Sequence, residues 1–259
     1  MLTLENTRLA YGARTVIEQF SCRVEAGEFL ALIGPNGAGK SALLRSMARL
    51  LKPRSGRVLL GDHDLWQMKP RDVARILAWI SPSETYPPDL TVLDLLARAR
   101  YPYRRGFRGS HRDHEVIDWA IAATELDQLR GRRLSALSAG ELQRVTLAAG
   151  LAQEPRVILL DEPTAFLDLQ HALEVLELLA RLNREQGLTV IVALHDLMQA
   201  ARHATRVVLV GNGTLMADGP PAAVLTPEVL GPVFGVDVVM LKDPVTGTPL
   251  PIPSLRQST

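Results

Sequence analysis

The chain has 259 residues, 47% of them hydrophobic and 22% charged, with 29 Lys plus Arg against 28 Asp plus Glu. At roughly 150 residues per domain this is one large domain or two interlocked ones, and the composition excludes disorder as the main state. A net charge of +1 provides no bulk field for nucleic acid, so no nucleic-acid partner is expected.

The longest apolar run, Leu188 to Leu194, is far short of the roughly 18 residues that cross a bilayer. The opening M-L-T-L-E-N-T has no basic region followed by an apolar run, so no secretory signal is expected. Cys22 is the one cysteine and reads as a buried thiol without a disulfide partner. Both features point to the cytoplasm.

In chain order, short strands are expected at Leu2 to Leu4 and Val16 to Ile17. Phe29 to Ile33, F-L-A-L-I, is a continuous apolar run of the kind a strand buried on both faces carries. A glycine-rich turn follows, then S-A-L-L-R-S-M-A-R-L-L with apolar residues at helical spacing. Strand, glycine loop and helix form the phosphate-binding unit of an α/β domain. Val58 to Leu60 and Leu77 to Ile80 read as further strands, with a short helix between them. From Thr91 to about Leu151 the pattern turns helical: T-V-L-D-L-L-A-R-A-R opens behind a Thr cap, and a second helix covers Glu115 to Leu129 after a basic loop. Strands resume at Val157 to Leu160, Thr189 to Leu194 and Arg206 to Val210, with a helix at Leu169 to Gln186. An all-helical insert thus splits an α/β domain into two sequence pieces. From about Gly235 onward, Pro and Gly punctuate a small β-hairpin or irregular tail. No internal repeat of 20 to 50 residues is present.

Gly34 to Ser41, G-P-N-G-A-G-K-S, matches the phosphate-loop pattern in full. Its glycines let backbone N–H groups turn toward phosphates, Lys40 reaches the β- and γ-phosphates, and the Ser41 hydroxyl can ligate Mg²⁺. Asp161 ends the strand V-I-L-L-D, where a carboxylate has no structural use but can hold Mg²⁺ beside phosphates. Glu162 is next in the chain, the candidate to polarise an attacking water. L-S-A-G-E-L-Q-R, Leu137 to Arg144, puts Ser138 and Gly140 at a helix start, a second anion-binding feature. On spacing alone Ser138 and Glu141 are equally an ordinary capping box.

These motifs, with L-H-D at Leu194 to Asp196, stand in the order and spacing of the ATP-binding subunits of ABC transporters, and the sequence resembles that family over nearly its whole length. The resemblance implies a P-loop NTPase (RecA-like) α/β fold, with an ATP-binding core of residues 1–86 and 152–259 and a helical subdomain of residues 87–151. It assigns ATP contacts to Tyr11, stacked on adenine, and to Gly34, Pro35, Asn36, Gly37, Ala38, Gly39, Lys40, Ser41 and Ala42. By the same resemblance His195 is expected to contact the γ-phosphate and Asp168, in A-F-L-D, to lie at a dimer contact. Ser138, Ala139, Gly140 and Glu141 are expected, by that resemblance, to cover the ATP held by the other copy. Without the family, Tyr11 reads as a core aromatic and His195 as a strand-end histidine.

Three departures stand out. A family glutamine that contacts Mg²⁺ and water aligns with Pro82, which has no side-chain oxygen or amide. Either Ser83 or Glu84 substitutes, or hydrolysis is slower or coupled differently. Glu141 replaces a signature glutamine, and Ala42 replaces a threonine after Ser41.

A narrower resemblance rests on A-R-A-R-Y-P-Y (Ala97 to Tyr103), P-T-A-F-L-D-L-Q-H, L-N-R-E-Q-G-L-T-V, H-D-L-M-Q-A-A-R and G-P-P-A-A-V-L-T-P-E-V-L. These pieces are similar to the ATPases of ferric-siderophore, haem and cobalamin importers. That likeness implies two ATPase copies, using ATP and Mg²⁺, beneath a pair of permease subunits at the cytoplasmic face of the cell membrane, with an external substrate-binding protein. Other transporter classes, a nucleotide-gated subunit that does not hydrolyse ATP, and a soluble ABC ATPase stay open as alternatives.

Overall fold

The computed structural model describes residues 1–81, 86–104, 110–165, 167–244 and 247–254. Pro82, Ser83 and Glu84 lie outside the described residues. Ten strands form one sheet: β1 (Leu2–Tyr11), β2 (Arg14–Val24), β3 (Phe29–Ile33), β4 (Ser55–Leu60), β5 (His63–Asp64), β6 (Leu77–Ile80), β7 (Val157–Asp161), β8 (Thr189–Ala193), β9 (Arg206–Gly211) and β10 (Thr214–Gly219). A separate hairpin pairs β11 (Asp237–Lys242) with β12 (Pro249–Ser254). The helices are α1 (Lys40–Met47), α2 (Pro70–Val73), α3 (Val92–Ala99), α4 (His111–Ala123), α5 (Ala139–Ala152), α6 (Leu169–Gln186), α7 (Leu197–His203), α8 (Pro221–Val224) and α9 (Pro227–Phe234).

Strand order is β5-β4-β1-β2-β10-β9-β3-β8-β7-β6. The run β9-β3-β8-β7-β6 is parallel throughout, whereas β1, β2, β4 and β5 pair antiparallel. Every residue of β3, β7 and β8 is buried. The period-2 alternation of side chains explains why. Phe29, Ala31 and Ile33 enter the apolar cluster on one face, and Leu30 and Leu32 enter that on the other.

The two faces are covered differently. Ala42, Leu43, Leu44 and Met47 of α1 pack with β1, β2 and β4 on one side. On the other, α6 and α7 share a single cluster with the apolar residues of α3, α4 and α5. Burying each such Leu, Ile or Val side chain contributes about 1.5–3 kcal/mol. At Gly150 on α5 an added Cβ would lie 2.7 Å from Ile80 Cδ1, so a glycine lets that helix approach β6.

Capping residues set the helix limits. Thr91 with Asp94, and Ser110 with Asp113, form reciprocal capping boxes at the starts of α3 and α4. The helix expected at Glu115 to Leu129 therefore begins at His111. It stops at Ala123 because Glu125 turns left-handed, with φ +56°, leaving Asp127–Leu129 as a 3-10 turn. Arg100 fastens this region: its side chain is 2% exposed, 2.8 Å from Asp113 and 2.9 Å from Glu154, and lies over the Tyr103 ring at 4.2 Å. Removing one partner from such a buried pair costs about 3–5 kcal/mol.

Three strands exceed or escape the sequence pattern. β1 and β2 are ten and eleven residues long, because only alternate residues face the core and the solvent-facing half is polar. β10 is joined to β9 through Asn212 and Gly213, with φ values of +49° and +72°, a two-residue hairpin of the Asn-Gly kind.

Candidate active site

The site forms at the C-terminal ends of three adjacent parallel strands, where doubly wound sheets place their ligands. The phosphate loop leaves β3, Glu162 directly succeeds β7, and His195 stands two residues past the end of β8. Register aligns Asp161 with Ala193, and Ala193 with Leu32, so all three segments emerge at one level.

The loop is shaped by its glycines. At Gly34 φ is +148°, and an added Cβ would fall 2.1 Å from the Val210 carbonyl oxygen, which excludes any side chain. At Gly39, the cap of α1, φ is +106°. The backbone N–H groups of Gly37, Gly39, Lys40 and Ser41 have no acceptor among the described residues. A row of free donors at a helix N-terminus is the arrangement that binds an anion.

Lys40 is buried and donates from Nζ to the carbonyl oxygens of Gly34 at 2.8 Å and Pro35 at 3.2 Å. Burial pushes its ammonium below the usual lysine range, opposed by the charges of Glu162 and Asp161. The Ser41 hydroxyl donates to Asp161 Oδ1 at 2.9 Å. Burial raises the Asp161 carboxyl above the ordinary aspartate value, with the Ser41 bond pulling the other way. A hydroxyl and a carboxylate beside free N–H donors and a buried ammonium fit a nucleoside triphosphate with a hard, oxygen-liganded cation.

Glu162 holds a left-handed backbone, φ +51°, and its Oε1 lies 2.5 Å from His195 Nε2. A non-glycine residue held there is strained, and such strain gathers at functional positions. Asp196 caps α7 by accepting the Met198 and Gln199 N–H groups at 2.8 and 3.3 Å, which fixes the turn that carries His195. Tyr11, at the end of β1, is 43% exposed and accepts from Arg45 Nη1 at 3.5 Å. It is a surface residue beside α1, so the core-aromatic reading fails on burial.

The signature residues form a second group. Ser138 caps α5 by accepting the Glu141 N–H at 3.3 Å, while its own N–H and hydroxyl donate to Glu141 Oε2 at 2.7 and 2.9 Å. Arg132 pairs with Glu141 at 3.3 Å. The bonds from Ser138 hold the Glu141 carboxyl below the usual range. Ala139 and Gly140 open the helix, and Asp168 caps α6. The structure therefore brings together Lys40, Ser41, Asp161, Glu162 and His195. Among the described residues, no hydrogen bond joins these to Ser138, Glu141 or Asp168.

Sequence reasoning missed Arg45 and His171. Arg45 lies one helical turn past Ser41, and its charge acts on Asp161. His171 stands three residues after its capping aspartate, the spacing that could have drawn notice.

This fold and loop define a P-loop nucleotide-binding protein. The sequence profile of the ABC transporter family matches residues 17–165. The chain belongs to that family, as one of its ATP-binding subunits. It is 40% identical over 250 residues, 96% of this chain and 92% of the relative, to the ferric enterobactin transport ATP-binding protein FepC of Escherichia coli (strain K12). Two solved structures are also similar. One is described as a metal-chelate type ABC transporter in an inward-facing conformation, with TM-score 0.84 and 26% identity, covering 98% of this chain and 96% of that one. The other is a dimeric ATP-binding cassette in a post-hydrolysis state bound to ADP and Pi, with TM-score 0.76 and 27% identity, covering 85% of this chain and 99% of that one. No helix among the described residues is long and apolar enough to cross a membrane.

Proposed function

We propose that two copies of this chain bind and hydrolyse ATP at a shared interface to drive uptake of an iron chelate, a ferric siderophore or haem, through a permease pair at the cytoplasmic face of the cell membrane. An external binding protein delivers the chelate. The observation that carries the ATPase part is the convergence of Lys40, the Ser41–Asp161 bond and the Glu162–His195 contact at the C-terminal ends of β3, β7 and β8. The likeness to a ferric enterobactin ATPase and to a metal-chelate type transporter supports the choice of cargo.

Residues 1–86 and 152–259 act as the ATP-binding core, and residues 87–151 as the helical part that carries the signature turn. Gly34, Pro35, Asn36, Gly37, Ala38, Gly39 and Ala42 shape the loop whose free N–H groups take the phosphates. Lys40 neutralises charge as it develops on the transferring phosphoryl group, and Tyr11 stacks on the base. Ser41 and Asp161 would hold Mg²⁺, which when bound supplies further neutralisation of the phosphate oxygens. Glu162 orients the attacking water and accepts its proton, and His195 holds that carboxylate while facing the γ-phosphate. Ser138, Ala139, Gly140 and Glu141 of the second copy close over the ATP, and Asp168 meets the partner. Binding therefore joins the two copies, and loss of the γ-phosphate releases them.

The test is turnover. Glu162→Gln is expected to bind ATP and form the dimer yet lose hydrolysis by at least about 100-fold. Unchanged hydrolysis would remove Glu162 from this role. For cargo, cells lacking the chain should fail to accumulate radiolabelled iron supplied as siderophore or haem. Uptake of both chelates at the full rate without it would overturn that assignment.

A further inference from the structure

The start of α6 is tied more tightly than a helix cap requires. Asp168 accepts the His171 backbone N–H at 2.9 Å, the ordinary capping bond. The His171 ring then returns to the same carboxylate, with Nδ1 2.7 Å from Oδ1 and 2.8 Å from Oδ2. An ionised carboxylate only accepts, so Nδ1 carries the proton and donates. The backbone N–H first, and the ring second, hold the Asp168 carboxyl below the usual range.

The same ring reaches the signature turn. A Cβ built on Gly140 would lie 3.9 Å from His171 Cγ, 4.0 Å from Nδ1 and 3.7 Å from Leu167 Cδ2, all ordinary van der Waals contact. The first turn of α5 thus faces the imidazole and the leucine preceding the capping aspartate, across the space that a methyl group on Gly140 would fill. Two segments separated by the whole length of α5 and β7 lie next to one side chain, which is itself one-third exposed at 33%.

We propose that His171 is a positioning residue for the ATP-driven pairing of two chains. Its Nδ1–H fixes the Asp168 carboxylate and its ring forms the wall that faces Gly140, so that the signature turn and the α6 cap meet the partner as one preformed unit. The proposal rests on the dimer reading given above. Pre-ordering of this kind favours association because less freedom is lost when the copies meet. His171 lies outside the phosphate loop's own bonding, so the loop's grip on nucleotide does not depend on it.

Asparagine and glutamine separate the two ring nitrogens. The amide nitrogen of asparagine lies where Nδ1 does and can still donate to Asp168, whereas that of glutamine reaches the position of Nε2. In the purified full-length chain, His171→Ala and His171→Gln are expected to lower kcat and ATP-dependent dimer formation by about tenfold, the worth of one hydrogen bond to a charged group. Binding of a fluorescent ATP analogue by the single chain should stay unchanged, and His171→Asn should recover most of the loss. Wild-type kcat in His171→Ala, equal recovery by glutamine and asparagine, or a parallel fall in nucleotide binding would each overturn the proposal. An active wild type with an indifferent His171→Ala overturns this inference alone, whereas a wild-type chain that never pairs with ATP overturns the dimer reading with it. Should the alanine variant not fold, nitrogen-15 NMR of the wild-type imidazole decides, since an unprotonated Nδ1 contradicts the donor role.

Discussion

The phosphate loop and the signature turn both lie at helix N-termini, yet they are built by opposite means. Around Lys40 the order comes from depth: Lys40 and Asp161 are both buried, and a side chain at Gly34 or Gly39 would run into β9 or β2. Around Ser138 it comes from bonds among neighbours at the surface, with Glu141 closing the cap and Arg132 leaning on it. A buried half is rigid before any ligand arrives. A surface half can be presented to a second chain, at the expense of depending on a few local bonds.

Substitutions in the two halves should therefore differ in size and in kind. The largest effect is expected from Lys40→Ala, which removes the one buried cation of the loop. Hydrolysis should fall by at least about 100-fold, the loss seen when a single electrostatic stabiliser is removed, as measured by phosphate release. Next, Asp161→Asn should abolish metal-dependent hydrolysis while raising the melting temperature of the nucleotide-free chain at pH 7 to 8. Burial raises the folded Asp161 carboxyl above its unfolded value. The folded state thus gains from protonation below the unfolded value and loses that gain as pH rises through the folded one, leaving an ionised, buried carboxylate as a cost at neutral pH. The advantage of asparagine should shrink as pH is lowered toward 4; an advantage that grows would contradict the sign.

A smaller change is expected at the surface half. Ser138→Ala removes the cap of α5 and should destabilise the chain by about 1 kcal/mol in urea unfolding, with nucleotide binding by the single chain unaltered. Equal losses of stability and nucleotide binding would erase the distinction between the halves. The least effect belongs to Tyr11→Phe. The 3.5 Å contact to Arg45 is long and exposed, so ATP affinity should move by less than about twofold if the ring's role is stacking. A larger drop would transfer the role to the hydroxyl.

The parallel strands were legible because burial on both faces leaves uninterrupted apolar runs: β6 begins and ends at the expected residues, and α6 matches over its full length. The fringe was less so. β1 and β2 extend well past the two short runs that announced them, since a strand with one wet face carries polar residues at every second position. β10 went unmarked although Asn212-Gly213 is a strong hairpin signal, and α4 began four residues early because Ser110 and Asp113 cap it. Among site residues, Lys40, Ser41, Asp161 and Glu162 were readable from type and spacing. Tyr11 and His195 took their meaning from family resemblance.

The sequence by itself determined the phosphate loop, the carboxylate pair and the family, because a glycine-lined turn between a buried strand and a helix tolerates few other residues. Only the tertiary structure decided what those residues touch. It ran β3, β8 and β7 side by side, so that groups more than a hundred positions apart share hydrogen bonds, and it set the ring of His171 facing Gly140. Spacing along a chain reports local geometry, whereas the meeting of distant turns is set by how sheet and helices pack.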